Sequence, residues 1–283
     1  MKKYLSISMI CCLSFSSLFS QAITGSALIN KMVEAVAKVK SYQFTMVTKE
    51  RKLDNTYHYG KSLNKVMVNP YSVYMKILAE KNNGVEVLYN PAKYGKVSVL
   101  NAGKFIPDMK LDPLGGMMRK DQHHTIIEGG FRYSVDLLNS IKNQLGANFD
   151  VMAKVESDIL FNDRLCYRMT LNDDDFGYVK YVLKDKESLY SLANQKKISE
   201  FLIVYHNKNV SDYSDFEAGK VIEIPTAFAK KAIIYIDKIS LHAIGIEMYD
   251  EIGLFEKYEF QEVKYNPAFA IDEFTKEFKG YGF

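Results

Sequence analysis

The chain has 283 residues, 47% of them hydrophobic and 25% charged, with 16 Gly, 6 Pro, 3 Cys and no Trp. That balance excludes a disordered chain, a collagen-like repeat and a disulfide-stapled miniprotein. With 37 basic against 34 acidic residues the formal charge is only +3, too little to hold a nucleic acid by counterion release, so no nucleic-acid partner is expected.

The amino terminus reads as an export signal. Met1-Lys2-Lys3 is a short basic start, Tyr4 to Phe19 carries no charge, and Ser20-Gln21-Ala22 offers small residues for cleavage. A retained anchor would want about 20 apolar residues, and this run is shorter and diluted by serines. Residues 1–22 are therefore expected to be a signal peptide and residues 23–283 a single domain, periplasmic or secreted, with no transmembrane span. Cys11 and Cys12 would leave with the signal, and Ile10 is not the small residue wanted before a lipidated cysteine. Cys166 then stays alone, and the fold must hold without a disulfide.

Leu28, Met32, Val36 and Val39 recur at helical spacing behind Ser26, which predicts an amphipathic helix over 25–40 capped by that serine. At Tyr42 the period changes to two: Tyr42, Phe44, Met46 and Thr48 alternate with Gln43, Thr45, Val47 and Lys49, as in a half-buried strand. Short strands follow at 61–69, 71–78, 85–90 and 96–101, divided by the turn residues Asn69-Pro70, Asn82-Asn83-Gly84 and Asn90-Pro91, in the manner of an antiparallel meander. Residues 102–130 read as a long irregular segment, and 131–145 as a helix stopped by Gly146. Strands are expected at 149–155 and 164–171, a polar helix at 186–200 and a strand at 201–205. The last third predicts three long strands, 231–237, 242–249 and 254–263, joined by tight turns.

This order, with Asn69-Pro70-Tyr71-Ser72-Val73-Tyr74, Gly84-Val85-Glu86-Val87-Leu88-Tyr89, Ile234-Tyr235-Ile236-Asp237, Ile244-Gly245-Ile246-Glu247-Met248-Tyr249-Asp250 and Asn266-Pro267, resembles the LolA/LolB group of bacterial lipoprotein carriers. The resemblance covers roughly residues 24–100 and 230–276. Within the group the chain is most similar to a secreted bacterial family of unknown function, through His123-His124-Thr125-Ile126-Ile127-Glu128-Gly129-Gly130. The resemblance implies an α+β fold, a curved antiparallel half-barrel with helices packed in its concave face, an apolar cavity between them and a long irregular central segment over about 102–230. It also implies a non-enzymatic carrier, without a cofactor, for a lipid or a lipoprotein acyl chain. Strand alternation assigns Phe44, Met46, Tyr74, Val87, Ile244, Ile246, Met248 and Phe260 to the cavity lining. Carriers of this group have an arginine directly before the early proline; Asn69 stands there, which argues against hand-over by the switch attributed to that arginine.

Two other readings stay open. His123, His124 and Glu128 bring imidazole and carboxylate into helical reach, as a metal-dependent envelope hydrolase would need, although the spacing is not that of the two-histidine zinc helix and Gly129-Gly130 would stop a helix there. The long central segment would also suit a scaffold subunit docking an envelope protein partner. Asp173-Asp174-Asp175 lacks the alternating ligands of a calcium loop and reads as a solvated turn, and Cys166 as a buried structural thiol.

Overall fold

Thr24 opens the first helix: its side chain accepts a hydrogen bond from the Ala27 N–H, so the cap lies two residues before the expected Ser26 and α1 runs Gly25–Ala37. The structure, a computed structural model, describes residues 23–208 and 217–283, and the expected signal peptide lies outside the described residues. Leu28, Ile29, Met32 and Val36 form the buried face of α1.

Next comes an up-and-down meander of β1 (Ser41–Arg51), β2 (Tyr57–Met67), β3 (Ser72–Ile77) and β4 (Glu86–Tyr89). A single-turn helix α2 (Pro91–Tyr94) then leads to β5 (Ser98–Asn101) and β6 (Met109–Leu111). β2 starts earlier than the expected residue 61 because the Lys52 N–H bonds the Thr56 carbonyl at 2.8 Å, closing a tight β1–β2 turn. The irregular segment holds β6, the short helix α3 (Gly116–Arg119) and one 3-10 turn at Ile126–Glu128 before α4 (Arg132–Leu145), which stops at Gly146 as the spacing predicts.

Here two expectations fail. Residues 149–152 are not strand: α5 (Asn148–Met152) buries Phe149 against the helical layer, and the strand, β7 (Ala153–Phe161), starts only after it. After β8 (Arg164–Asn172) and β9 (Tyr178–Val182), the polar helix is shorter than expected, α6 (Leu189–Lys196), ended by Lys197 in the left-handed region. Residues 201–205 are also not strand but part of α7 (Glu200–His206), capped by the Ser199 hydroxyl, which accepts from the Leu202 N–H. An unbroken apolar run has no period to separate helix from strand, and here the cap decides. β10 (Val221–Pro225) pairs with β9 in a separate two-stranded sheet that the sequence did not reveal. β11 (Lys231–Asp237), β12 (Ala243–Tyr249) and β13 (Leu254–Tyr265) form the expected closing meander.

The large sheet has 11 strands in the order β6-β5-β4-β3-β2-β1-β13-β12-β11-β8-β7, every pair antiparallel. β6 and β7 are its two edges, so the sheet stays open, an α+β curved half-barrel. Its first and last long strands meet in the middle, with Met46 opposite Phe260 and Glu50 opposite Glu256.

Apolar side chains gather in three clusters. The largest lies between the concave face and the α1–α4 layer. A second is internal to α6, α7, β9 and β10, built on Leu189, Leu192, Ile203, Ile222 and Ile224. The third lies on the opposite face of β3–β5, where Tyr74, Leu88 and Val99 are covered by Phe274 and by Tyr281, whose ring stacks 3.6 Å from that of Tyr74.

Candidate functional site

The concave face is sealed by α1 and α4, and Phe131 is the plug's anchor. It is 1% exposed, and its ring centroid lies 4.9 Å from Tyr42, 5.4 Å from Phe44, 4.6 Å from Phe260 and 5.1 Å from His242. From α4, Val135, Leu137 and Leu138 are buried beside the α1 face. The side-chain hydrogen bonds that link these helices to other elements stay within the helical layer: the Ser26 N–H donates to Asp150 and Lys142 donates to the Asn30 side chain. Among the described residues no hydrogen bond or ion pair joins either helix to a strand; apolar contact holds the layer in place.

Of the expected cavity residues, Phe44, Ile246, Met248 and Phe260 belong to this cluster, and Met46 packs against it. Val87 and Ile244 are buried. Tyr74 faces the other way, into the cluster under the C-terminal tail, because its neighbour Val73 takes the inward position, opposite Tyr89. In β3 the phase is the reverse of the one assigned.

A second feature lies where the 120–130 segment crosses β1 and β13. Glu50 and Glu256 face each other across the register, 4% and 2% exposed. Like charges directly opposite destabilise a strand pair, and buried carboxylates need donors. The Tyr258 hydroxyl donates to Glu50 Oε1 at 2.5 Å, the His123 N–H donates to the same oxygen at 3.1 Å, and His123 Nδ1 lies 3.0 Å from Glu256 Oε2. The other nitrogen of that ring is 2.8 Å from the Arg51 carbonyl oxygen, and the ring stacks at 3.7 Å on Phe201 of α7.

His124 sits between Glu128, 2.8 Å away, and Glu256, 3.6 Å away. Burial opposes its charge, but the Glu256 charge and the bonds from both carboxylates hold its pKa well above the ordinary histidine value. Burial alone would raise Glu256; the His124 charge and the hydrogen bonds of both histidines overcome this and bring it down to about 2. Beside them Arg119 makes two bonds to Glu200 of α7, at 3.0 and 2.5 Å, although burial still keeps the Glu200 carboxyl above its usual range. Arg51 forms a buried pair with Asp250 and lies 4.7 Å from the Tyr205 ring. A recess of about 20 Å³, lined by His124, Glu128, Tyr133, Tyr190, Glu200 and Glu256, opens at this seam, room for about one water.

This arrangement does not suit the metal reading. His123, His124 and Glu128 do not converge: the ring nitrogens turn to Glu256, Glu128 and a carbonyl, and among the described residues no group of three or more His, Cys, Asp or Glu is placed to hold a metal ion. Glu50, Glu256, Arg119 and Glu200 escaped the sequence reading. A signal for the first two existed, since Glu50 continues the inward positions of Phe44 and Met46, and Glu256 those of Tyr258 and Phe260. Cys166 is fully buried, and burial pushes its thiol up to about 11, as for a structural thiol. Among the described residues no helix is long and apolar enough to cross a membrane.

Comparison with known proteins gives distant structural likenesses. The chain is similar to the Mycobacterium tuberculosis lipoprotein LppX, with 10% identity over 87% of this chain and 97% of that one and a TM-score of 0.40. It is similar to a chain of the Pseudomonas aeruginosa MucA/MucB complex, with 11% identity over 88% of this chain but only 60% of that one and a TM-score of 0.42. A LolA superfamily protein from Nitrosomonas europaea, of the group the sequence resembles, matches with 11% identity over 90% of this chain and 99% of that one, TM-score 0.34. No curated protein matches the sequence. The model of the family described as "Protein of unknown function (DUF1571)" matches residues 39–193, more than half of the chain, from the residues just before β1 into α6 and including His123, His124 and Glu128, and the chain belongs to that family.

Proposed function

We propose that the protein is a non-enzymatic binding or carrier protein of the bacterial envelope, and that its ligand is a lipid or the acyl chain of a lipoprotein taken up between the sheet and the α1–α4 layer. One observation carries the reading: the layer meets the concave face mainly through apolar and aromatic side chains, with no hydrogen bond or ion pair to a strand among the described residues. Such a layer can lift without stranding a buried donor or acceptor, and an acyl chain replaces its contacts in kind. Burial of lipid chain gains about 0.8 kcal/mol per methylene, so sixteen carbons contribute on the order of 10 kcal/mol before ordering costs, comparable with the buried face of α1. Phe44, Met46, Val87, Ile244, Ile246, Met248 and Phe260 are the proposed lining; Tyr74, turned to the tail, is not. Export by residues 1–22 and a periplasmic address complete the proposal.

Titration with a fluorescent long-chain fatty acid tests it. Saturable binding near one equivalent, displaced by unlabelled lipid, is the expected result. No binding across the accessible concentration range overturns it.

A further inference from the structure

Two neighbouring connections at one end of the sheet carry apolar side chains that the fold leaves uncovered. In the β5–β6 connection Phe105 is 99% exposed and Ile106 50%, and in the β3–β4 connection Leu78 is 38% exposed. The registers Lys76↔Glu86 and Glu86↔Asn101 place the two connections side by side, and the Lys61 carbonyl accepts from the Leu78 and Ala79 N–H groups, bringing β2 to the same rim.

The Phe105 turn has a fixed shape. The Asn101 side chain accepts from the Gly103 N–H at 2.9 Å and donates to Asp108 at 3.1 Å, and the Ile106 N–H bonds the Gly103 carbonyl at 3.0 Å. An aromatic ring is therefore held out to solvent by a braced turn, at a cost that packing inside the protein does not repay.

The charge around it has mostly one sign. Lys61, Lys81, Lys104 and Lys110 are exposed, and none is in an ion pair among the described residues. Asp108 is neutralised by Lys276, which leaves Glu80 as the exposed carboxylate of the two connections.

We propose that this rim is a membrane-contact surface: Phe105 and Ile106 enter the headgroup boundary of an anionic phospholipid bilayer, and the four lysines face the headgroup phosphates. Two adjacent apolar side chains on a turn are too few for the core of a stable protein interface, whereas insertion beside unpaired lysines is the arrangement of a surface-seated protein. The inference does not depend on what the concave face holds.

The test is co-sedimentation of the full chain with vesicles of phosphatidylcholine alone or mixed with phosphatidylglycerol, at low salt and at about 1 M salt, where the screening length is about 3 Å. Every variant keeps the same apolar residues 4–19, so the difference between variants is what is read. Binding to the anionic vesicles should fall about tenfold or more in the Phe105→Ser/Ile106→Ser double variant, fall also in Lys104→Glu/Lys110→Glu, and weaken with salt. Ile271→Ser, at a fully exposed isoleucine in the tail, is the control that should leave binding unchanged. Absence of binding to anionic vesicles, equal binding by the Phe105→Ser/Ile106→Ser variant, or a Phe105-dependent dimer without vesicle binding each overturns the proposal.

Discussion

The Phe131 ring at the start of α4 lies 4.6 Å from the Phe260 ring on β13, centroid to centroid, and this contact seats the helical layer on the half-barrel. Phe131 also touches Tyr42 and Phe44 of β1, so one side chain spans the junction of the two central strands. Replacing it tests how the layer is held. Phe131→Ala should cost about 3–5 kcal/mol in denaturant unfolding, the range for an aromatic removed from a core. A loss below about 1 kcal/mol would show that the layer is anchored elsewhere.

Arg119 at the end of α3 and Glu200 of α7 join these two helices through a buried bidentate pair, 2% and 8% exposed. Removing Arg119 leaves the Glu200 carboxylate buried without its guanidinium partner. Arg119→Ala alone should therefore cost about 3–5 kcal/mol, and the double change Arg119→Met/Glu200→Met clearly less. Urea unfolding of both variants checks the order; a double variant less stable than the single one would contradict it.

His124 makes stability depend on pH in a defined direction. Its folded pKa lies above the ordinary value of 6.5, so its contribution is complete below pH 6.5 and declines as pH rises through the folded pKa. Glu256 has the opposite sense: its contribution is complete above about pH 4.5 and is lost as pH falls towards about 2. His242, whose pKa burial lowers, gives a slope opposed to that of His124. Comparison of wild type with His124→Gln, in which His242 is unchanged, isolates the effect. The difference in melting temperature between them should shrink from pH 6 to pH 9; a constant difference would show that folding does not raise the His124 pKa.

Gly245 of β12 lies beneath the Phe161 ring, which stacks at 4.1 Å on Tyr235 of the neighbouring strand. A Cβ added there would stand 2.5 Å from Phe161 Cζ. Gly245→Ala should destabilise by about 1–3 kcal/mol, and the additional change Phe161→Leu should recover part of the loss. Thermal melts of the two variants check the coupling.

Much of the fold was legible because the period of the apolar residues changes cleanly at Tyr42 and again at Phe131, and because turn residues bound nearly every strand of the first and last meanders. α7 was misread because Phe201-Leu202-Ile203-Val204-Tyr205 has no polar break, although Ser199-Glu200 ahead of it is a helix start. The polar seam was only half visible. His123, His124 and Glu128 are neighbours in the chain, but Glu50 and Glu256 reach His123 through strand pairing, and Glu200 reaches Arg119 through helix docking, at long sequence separation. A lone charged residue in an inward strand register marks such a site without naming its partners.

An acyl chain taken up between the sheet and the α1–α4 layer is the proposed ligand. Native mass spectrometry of the protein purified without detergent, with solvent extraction and lipid analysis of the same sample, tests it most directly. The expected result is a bound mass near one equivalent that disappears on extraction and is recovered as an acyl-chain lipid. A protein that runs at its bare polypeptide mass, yields no lipid and binds no added lipid would contradict it.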